Sequence, residues 1–371
     1  MSGACAECLR RGFLVGHLAP SIARVLDGRG RRRAGAVLSL PEAQLIAAVA
    51  SDTAAARARQ FLKGWNEGEA RAVLTATAVE AVCGHSAAYP PGLGDLEDAP
   101  ATLFVAGGLD RLSKAMASPG VTIVGARRAS AYGLEVTREL GRGVAAAGLT
   151  VISGLALGVD AAAHRGALEA GGTTIAVLAG GTDVPYPRLN RGLYRQLLEN
   201  GPIVSELPPG QRPYRWSFPA RNRIMAALGR MTVVTEARDP SGSLITTDFA
   251  LDLGRVVGAV PGQVTAAVSQ GPNRLLRDGS ALIRDAGDVI DELFGADAAD
   301  AFRDERMKPK PELPDVLARV LEAIESGVGL EAVAEASDLS ARDVRAALGK
   351  LELLGLVTRH GVGAYERAAG C

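Results

Sequence analysis

The sequence predicts an α/β fold: an extended, Rossmann-like, doubly wound and mostly parallel sheet with an N-terminal helical domain and a C-terminal winged helix. Three observations carry this prediction. Short runs rich in Val and Ile alternate with helical segments over residues 102–262, residues 1–85 lack strand-like alternation, and residues 315–371 combine helical periodicity with a strand-like end. Continuous apolar runs are typical of parallel strands that helices cover on both faces.

The helical domain is expected over residues 1–85, before a linker rich in Pro and Gly at 90–100. One helix opens at Pro41, because proline is favoured in the first turn, and another is expected over 67–81. The basic run at 28–33 could contact phosphates, but we favour a solvated charge run.

The sheet domain is expected over residues 86–295. Its seven predicted strands are the apolar runs at residues 102–107, 121–125, 149–153, 173–180, 201–206, 231–237 and 255–262. Ligands of such open sheets bind outside the carboxyl ends of the strands, so the loops after these runs are the candidate site.

A charged linker is expected over residues 296–314, followed by a winged helix over 315–371. Ser340 is a suitable N-cap for the third helix of this segment. Acidic side chains make the segment a poor binder of a DNA groove and favour contact with protein or another domain; they are Glu322, Glu325, Glu331, Glu335, Asp338 and Asp343.

Composition limits the function classes. The 371 residues include 41 Lys+Arg and 41 Asp+Glu, so nucleic-acid binding requires a local basic patch. Four cysteines are too few for a disulfide framework. Neither a signal peptide nor a bilayer-spanning apolar run is found, so we expect a cytoplasmic protein without membrane contact.

The loop after the second predicted strand begins with Gly125 and carries Arg127 where a dinucleotide-binding motif has its second glycine. A dinucleotide needs close backbone approach there, so this loop is not an NAD site. We expect Arg127 to bind an anion, with a salt bridge to a neighbouring acid as the alternative.

The next loop predicts an anion cradle made by Ser153 and the N–H groups between Gly154 and Gly158. Asp160 is expected to cap or charge the start of the following helix rather than act in catalysis. His164, among alanines on that helix, is expected to be buried and satisfied.

The loop at residues 179–193 adds further candidates. Arg188 can reach a phosphate, Asn190 follows it, and Tyr186 offers a stacking face. Asp183 is expected to order the loop through a local turn.

Residues 210–223 interleave aromatic rings with Arg212, Arg215, Arg221 and Arg223, a combination typical of proteins that bind single-stranded nucleic acid. The alternative is that Trp216 and Phe218 belong to the core. Asn222 lies within the same run, and Ser241 and Gly242 begin a last turn that suits an anion.

Several anion cradles along one sheet edge predict a track for a polyanion rather than a site for one nucleotide. No Ser/His/Asp set, Walker sequence or paired general acid and base is found, so we expect a binding protein without a cofactor. Cys5, Cys8, Cys83 and His85 could form a Cys₃His zinc set, but unusual spacing leaves free thiols as the alternative.

Seven motifs in register over residues 102–292 resemble the DNA-processing protein A family, also called DprA or Smf. They are VGARRASAYG, ISGLALGVDAAAHRGAL, TIAVLAGGTDVPYPRLN, SELPPG, FPARNRIMAAL, SGSLITTDFALDLGR and VPG. The resemblance implies a protein that binds single-stranded DNA, dimerises through its Rossmann-like domain and hands incoming DNA to the recombinase RecA in natural transformation. The implied DNA-binding residues are Gly125, Arg127, Ser153, Gly154, Arg188, Asn190, Phe218, Arg221, Asn222, Arg223, Ser241 and Gly242.

Two alternatives from other classes remain. The first is a nucleotide-processing enzyme of the lonely-guy or lysine-decarboxylase-like group, which would cleave an N-glycosidic bond. Its PGGxGT loop is not matched here, because GGT at residues 180–182 lacks the preceding proline and is followed by Asp183. The second is a winged-helix regulator with a ligand-sensing Rossmann-like domain.

Overall fold

This computed structural model describes residues 3–26, 34–295, 314–325, 333–334, 339–354, 356–360 and 364–367. Two compact units divide the chain, Met1–Phe302 and Arg303–Cys371. The basic run at 28–33 and the linker before Pro314 lie outside the described residues. None of the described helices has the length and apolar character needed to cross a bilayer.

The first unit begins with five helices, α1 (Ala6–Val25), α2 (Ala34–Ser39), α3 (Glu42–Val49), α4 (Asp52–Lys63) and α5 (Glu67–Ala76). Leu14, Leu18 and Ile22 recur every four residues along α1, so they share one face and are buried against Leu45 of α3. The predicted helix at 67–81 ends early, because Ala78 adopts a left-handed backbone conformation with φ 51° that the helix cannot continue through.

Nine strands form the sheet of this unit, in the order β1-β2-β6-β5-β4-β3-β7-β8-β9. Their bounds are β1 Val79–Val82, β2 Leu103–Ala106, β3 Gly120–Val124, β4 Thr150–Ser153, β5 Thr174–Val177, β6 Ile203–Ser205, β7 Met231–Val234, β8 Val256–Ala259 and β9 Ala281–Leu282. The seven predicted strands are confirmed as β2 to β8. The helical prediction for residues 1–85 is wrong at β1, which pairs antiparallel with β2.

Helices cover both faces of the sheet, as predicted. Ile123 of β3 packs with Leu140 on one face, whereas the neighbouring Val124 packs with Ile224 on the other, because successive strand residues point to opposite faces. The helices of this part are α6 Leu109–Met116, α7 Ala131–Ala146, α8 Val159–Glu169, α9 Arg191–Asn200, α10 Ser217–Leu228, α11 Leu244–Asp252, α12 Gln270–Arg277 and α13 Ala286–Phe294.

Strand β3 pairs in parallel with β4 on one side and with β7 on the other. All neighbouring strands from β6 across the sheet to β9 pair in parallel. At the other edge, β2 pairs antiparallel with β6. The chain therefore leaves β3 toward one edge and returns on its other side. Such a reversal opens a crevice at the carboxyl ends of the central strands.

The second unit contains α14 (Asp315–Glu325), α15 (Ala341–Leu353) and the antiparallel pair β10 (Val357–His360) and β11 (Ala364–Arg367). The Oγ of Ser340 accepts a hydrogen bond from the Asp343 N–H at 3.2 Å, which confirms the predicted N-cap. Of the helix predicted between α14 and α15, only residues 333–334 and 339 are described. These elements confirm the winged helix.

Candidate nucleic-acid interface

A cleft of about 600 Å³ opens at the carboxyl end of β3, and a smaller pocket adjoins it below the loop after β5. Both cavities share the lining residues Arg127, Ala156, Tyr186, Phe218 and Arg221. The loops after β3, β4 and β5 meet here with α10, since parallel strands bring their following loops to one edge of a sheet. We call the two adjoining cavities the cleft.

Arg127 lies at the mouth of the cleft. Its guanidinium sits 5.0 Å from the ring centroid of Phe218, within the range of a cation–π contact. Among the described residues no carboxylate lies within ion-pair distance of Arg127, so its charge is available to a ligand. Gly125 permits this loop to form, because a Cβ there would fall 2.6 Å from the Glu236 carbonyl oxygen.

Asp160 occupies part of the predicted anion cradle. Its Oδ2 accepts hydrogen bonds from the N–H groups of Gly154 at 3.2 Å and Ala156 at 3.3 Å. The Oγ of Ser153 is buried and donates to the Ile123 carbonyl at 2.6 Å. Ser153 and the Gly154 amide therefore make hydrogen bonds within the protein that hold the loop in shape, and their contact with a ligand anion stays a prediction.

Arg221 forms the floor of the cleft. Its Nη1 donates to the Val177 carbonyl at 2.6 Å, while its Nε is buried without a hydrogen-bond partner among the described residues. Burial lowers the pKa of Arg221, and the nearby charge of Asp160 opposes that shift. Burial raises the pKa of Asp160, and Arg221 opposes it in turn. Each buried charge thus favours the ionised form of the other.

The aromatic residues of this segment divide between two roles. Phe218 is half-buried and meets Tyr186 in an edge-on contact with ring centroids 5.7 Å apart. Trp216 is buried, and its Nε1 donates to the Ala19 carbonyl of α1 at 3.3 Å. Tyr214 stacks on Trp216 with centroids 6.3 Å apart. The core interpretation is therefore correct for Trp216, whereas Phe218 faces the cleft.

Arg223 lies in a separate ion-pair cluster. Its fully buried guanidinium donates to both oxygens of Glu206, at 2.7 and 2.8 Å, and its Nε lies 3.5 Å from Asp98. Residues two apart on a helix project about 200° from each other, so Arg221 and Arg223 cannot face the same cavity. Arg223 is thus ion-paired away from the cleft, and its contact with DNA stays a prediction from the sequence.

Two further predicted residues lie beside the cleft rather than in its lining. The buried Asn190 donates its Nδ2 to the carbonyls of Leu155 at 2.9 Å and Ala156 at 3.1 Å, so it supports the β4–α8 loop. Arg188 is exposed on the adjacent turn. Asp183 links its loop to a different one instead of forming the expected local turn, because its carboxylate accepts from the Gly210 N–H at 2.8 Å.

The far wall of the cleft contains Asn222, Ser241 and Gly242, three of the residues predicted to bind DNA. Asn222 donates its Nδ2 to the Gly242 carbonyl at 3.0 Å, and a Cβ on Gly242 would meet open space. Tyr186 and Arg215 also line the cleft. They are absent from the twelve DNA-binding residues that the family resemblance implies, although the sequence pattern itself offered Tyr186 as a stacking face and Arg215 as one of the interleaved arginines.

Comparison with known proteins identifies a family. Residues 80–294 match the model described as DNA recombination-mediator protein A, and residues 304–361 match that of the DprA winged helix domain. Protein Smf from Synechocystis is 32% identical over 309 residues, which cover 75% of this chain and 78% of that relative. DNA processing protein DprA from Streptococcus pneumoniae is 41% identical over 204 residues, which cover 55% of this chain and 71% of that relative.

A solved structure gives the same result for the fold. The X-ray structure of DNA processing protein A from Streptococcus pneumoniae covers 77% of this chain and 96% of its own, with 30% sequence identity and a TM-score of 0.61. The extended, mostly parallel sheet with its helical N-terminus is thus shared with a protein of known structure.

Proposed function

Because the chain belongs to the DNA recombination-mediator protein A family, we propose that it binds single-stranded DNA in the cleft and serves DNA processing during natural transformation. The observation that carries this proposal is the pairing of Arg127 over Phe218 at the mouth with Arg221 at the floor. Residues 86–295 are the proposed DNA-binding domain, and residues 315–371 the proposed winged-helix domain.

The mixture of rings and cations supports a single strand as the ligand. Unpaired bases can stack on Phe218 and Tyr186, whereas a duplex keeps its bases inside the helix. Each stacked base contributes about 1–3 kcal/mol, largely independent of sequence. Binding is therefore expected to tolerate any sequence and to favour flexible strands such as oligo-dT.

Guanidinium groups are the proposed phosphate ligands. Asp160 already accepts from the amides of Gly154 and Ala156, so these N–H groups are not available to DNA. Arg127 and the exposed Arg188 present charge at the surface, and Arg221 adds charge below. Ser241 and Gly242 offer a second edge along which a strand can continue.

The remaining parts of the proposal are suggested by the family resemblance alone. We propose that the protein acts without catalysis, dimerises through the sheet domain, loads the recombinase RecA onto DNA and works in the cytoplasm. Light scattering after size exclusion tests the dimer. RecA-coated single strands, counted with and without the protein, test loading.

The experiment for the proposal is a fluorescence anisotropy titration of labelled oligo-dT and of a duplex of equal length, at several salt concentrations. We expect tighter binding of the single strand and an affinity that falls steeply with salt, since phosphate contacts release counterions. Equal affinity for both DNAs contradicts the proposal. Release of free base from nucleoside monophosphates would instead favour the N-glycosidic enzyme.

A further inference from the structure

Three cysteines and a histidine converge at the N-terminal end of α1, the end opposite to the Ala19 carbonyl that contacts Trp216. Cys5 is the N-cap of α1, Cys8 lies in its first turns, and Cys83 and His85 follow β1. Their four ligand atoms lie within 4.8 Å of one another. The fold thus brings together two pairs of residues, Cys5 with Cys8 and Cys83 with His85, that lie 75–80 positions apart in the sequence.

The distances match a tetrahedral centre. The Nδ1 of His85 lies 3.5 Å from the Cys5 Sγ, 3.5 Å from the Cys8 Sγ and 3.7 Å from the Cys83 Sγ. Zn–S bonds of about 2.3 Å and Zn–N bonds of about 2.0–2.1 Å at tetrahedral angles place sulfur and nitrogen about 3.6 Å apart. The three observed distances from Nδ1 to sulfur agree with that value.

Hydrogen bonding alone does not explain this arrangement. One imidazole nitrogen carries either one proton or one lone pair, so Nδ1 of His85 cannot satisfy three sulfurs at once. A cation at the centre satisfies all four atoms together. The three cysteines are free rather than joined in a disulfide.

We propose that Cys5, Cys8, Cys83 and His85 bind a structural zinc ion. Three thiolates and one imidazole suit zinc better than magnesium or calcium, which prefer oxygen ligands. Four protein ligands fill the tetrahedron and leave no open position, so the ion has a structural rather than a catalytic role.

The surroundings support thiolates at this place. The backbone N–H of Cys5 points at the Cys83 Sγ at 3.4 Å, an outer-shell contact that stabilises negative sulfur. The N-terminus of the 20-residue α1 adds the positive end of its dipole. Cys83 is fully buried, whereas His85 is exposed and closes the site from the solvent side.

The ion would join α1 to the edge of the sheet. Two hydrogen bonds already link these parts, from the Ala4 N–H to the Ala81 carbonyl at 2.7 Å and from the Thr102 Oγ1 to the Cys8 carbonyl at 2.6 Å. Further along α1, the Ala19 carbonyl accepts from Trp216, two positions before Phe218. Zinc at this place therefore stabilises the helix against which the Arg-rich segment packs.

Metal analysis of the untagged full chain, purified without chelator from zinc-supplemented cells, tests the proposal. We expect one zinc ion per chain, and cobalt substitution should give the thiolate charge-transfer bands of a tetrahedral site. His85→Ala, at an exposed turn, removes a direct ligand. Loss of an outer-shell partner costs about 10–100-fold in metal affinity, and we expect this variant to lose more than that. Cys371→Ser is the matched control and should keep the ion.

Zinc far below one equivalent with no cobalt spectrum overturns the proposal, as does stoichiometric iron in place of zinc. Full zinc retention in both His85→Ala and Cys8→Ser also overturns it, because two ligands would then be dispensable. If Cys83→Ser fails to fold, the exposed His85 variant still gives the answer. The DNA titration is a separate measurement, because none of the four proposed ligands lines the cleft.

Discussion

Gly154 lies directly against the guanidinium of Arg221, so closely that a Cβ on Gly154 would occupy the position of the Arg221 terminal nitrogens. The glycine is therefore required by side-chain packing rather than by its backbone angles. The contact fixes Arg221 at the floor of the cleft while its Nη1 donates to Val177.

Gly154→Ala should displace Arg221 and cost about 1–3 kcal/mol of unfolding free energy through overpacking. Oligo-dT affinity should fall with it, by about tenfold if one charged hydrogen bond is lost. Urea unfolding and anisotropy measure the two effects. Gly192→Ala is the control, since a Cβ there meets open space on α9 and should be neutral or slightly stabilising. Wild-type behaviour of Gly154→Ala would show that the contact is unimportant.

Arg223→Ala should act on stability and not on the salt dependence of DNA binding. The substitution leaves Glu206 buried without its partner, at a cost of about 3–5 kcal/mol. Chemical denaturation gives the loss, and the titration is run at a temperature where the variant remains folded. If Arg223→Ala flattened the slope of log affinity against log salt and left the free energy of unfolding unchanged, Arg223 would be a DNA contact.

Phe218→Leu should weaken oligo-dT binding by about tenfold at every salt concentration, because a lost stacking contact costs about 1–3 kcal/mol per base. The slope of log affinity against log salt should stay the same, since no charge is removed. Tyr214→Leu, at a ring that stacks on Trp216, is the control. An effect of Tyr214→Leu as large as that of Phe218→Leu would place the stacking surface elsewhere.

Stability should fall with acid because of His164. Burial lowers the pKa of this histidine to about 3, from an ordinary value of 6.5, and its Nδ1 lies 2.7 Å from the Thr174 Oγ1. The unfolded chain takes up this proton near pH 6.5, whereas the folded chain does not until about pH 3. The neutral His164 therefore contributes fully to the free energy of unfolding above pH 6.5. This contribution declines between pH 6.5 and pH 3, and about 2 kcal/mol is lost at pH 5.

Urea titrations at pH 7.5 and 5 check this prediction with His164→Gln as the comparison. The wild type should lose about 2 kcal/mol more than the variant between these pH values. Equal losses would mean that His164 titrates normally in the folded protein.

The sequence predicts the sheet well because β2 to β8 are continuous apolar runs between turn residues. It does not predict β1, because the run VEAV follows a helical pattern without a turn residue before it. In the structure Ala78, with its positive φ, ends the helix just before this strand. The loops of the cleft are also predictable, since they follow from the carboxyl ends of parallel strands.

Individual roles at the cleft depend on geometry that the sequence does not contain. Asp160 was expected near the helix start. Only the fold shows that its carboxylate accepts hydrogen bonds from the Gly154 and Ala156 N–H groups, which are then not available to a ligand. Arg221 and Arg223 look equivalent in the motif FPARNR. The helical turn separates them into a cleft residue and an ion-paired core residue.

The salt dependence of oligo-dT binding by Arg127→Ala tests the central claim most directly. Arg128→Ala is the matched control, because Arg128 is the adjacent exposed arginine and does not line the cleft. We predict that Arg127→Ala weakens binding and flattens the slope of log affinity against log salt by about 0.7, the value for one phosphate contact on a single strand, while Arg128→Ala changes it less. An unchanged slope and affinity in Arg127→Ala would contradict binding of single-stranded DNA in this cleft.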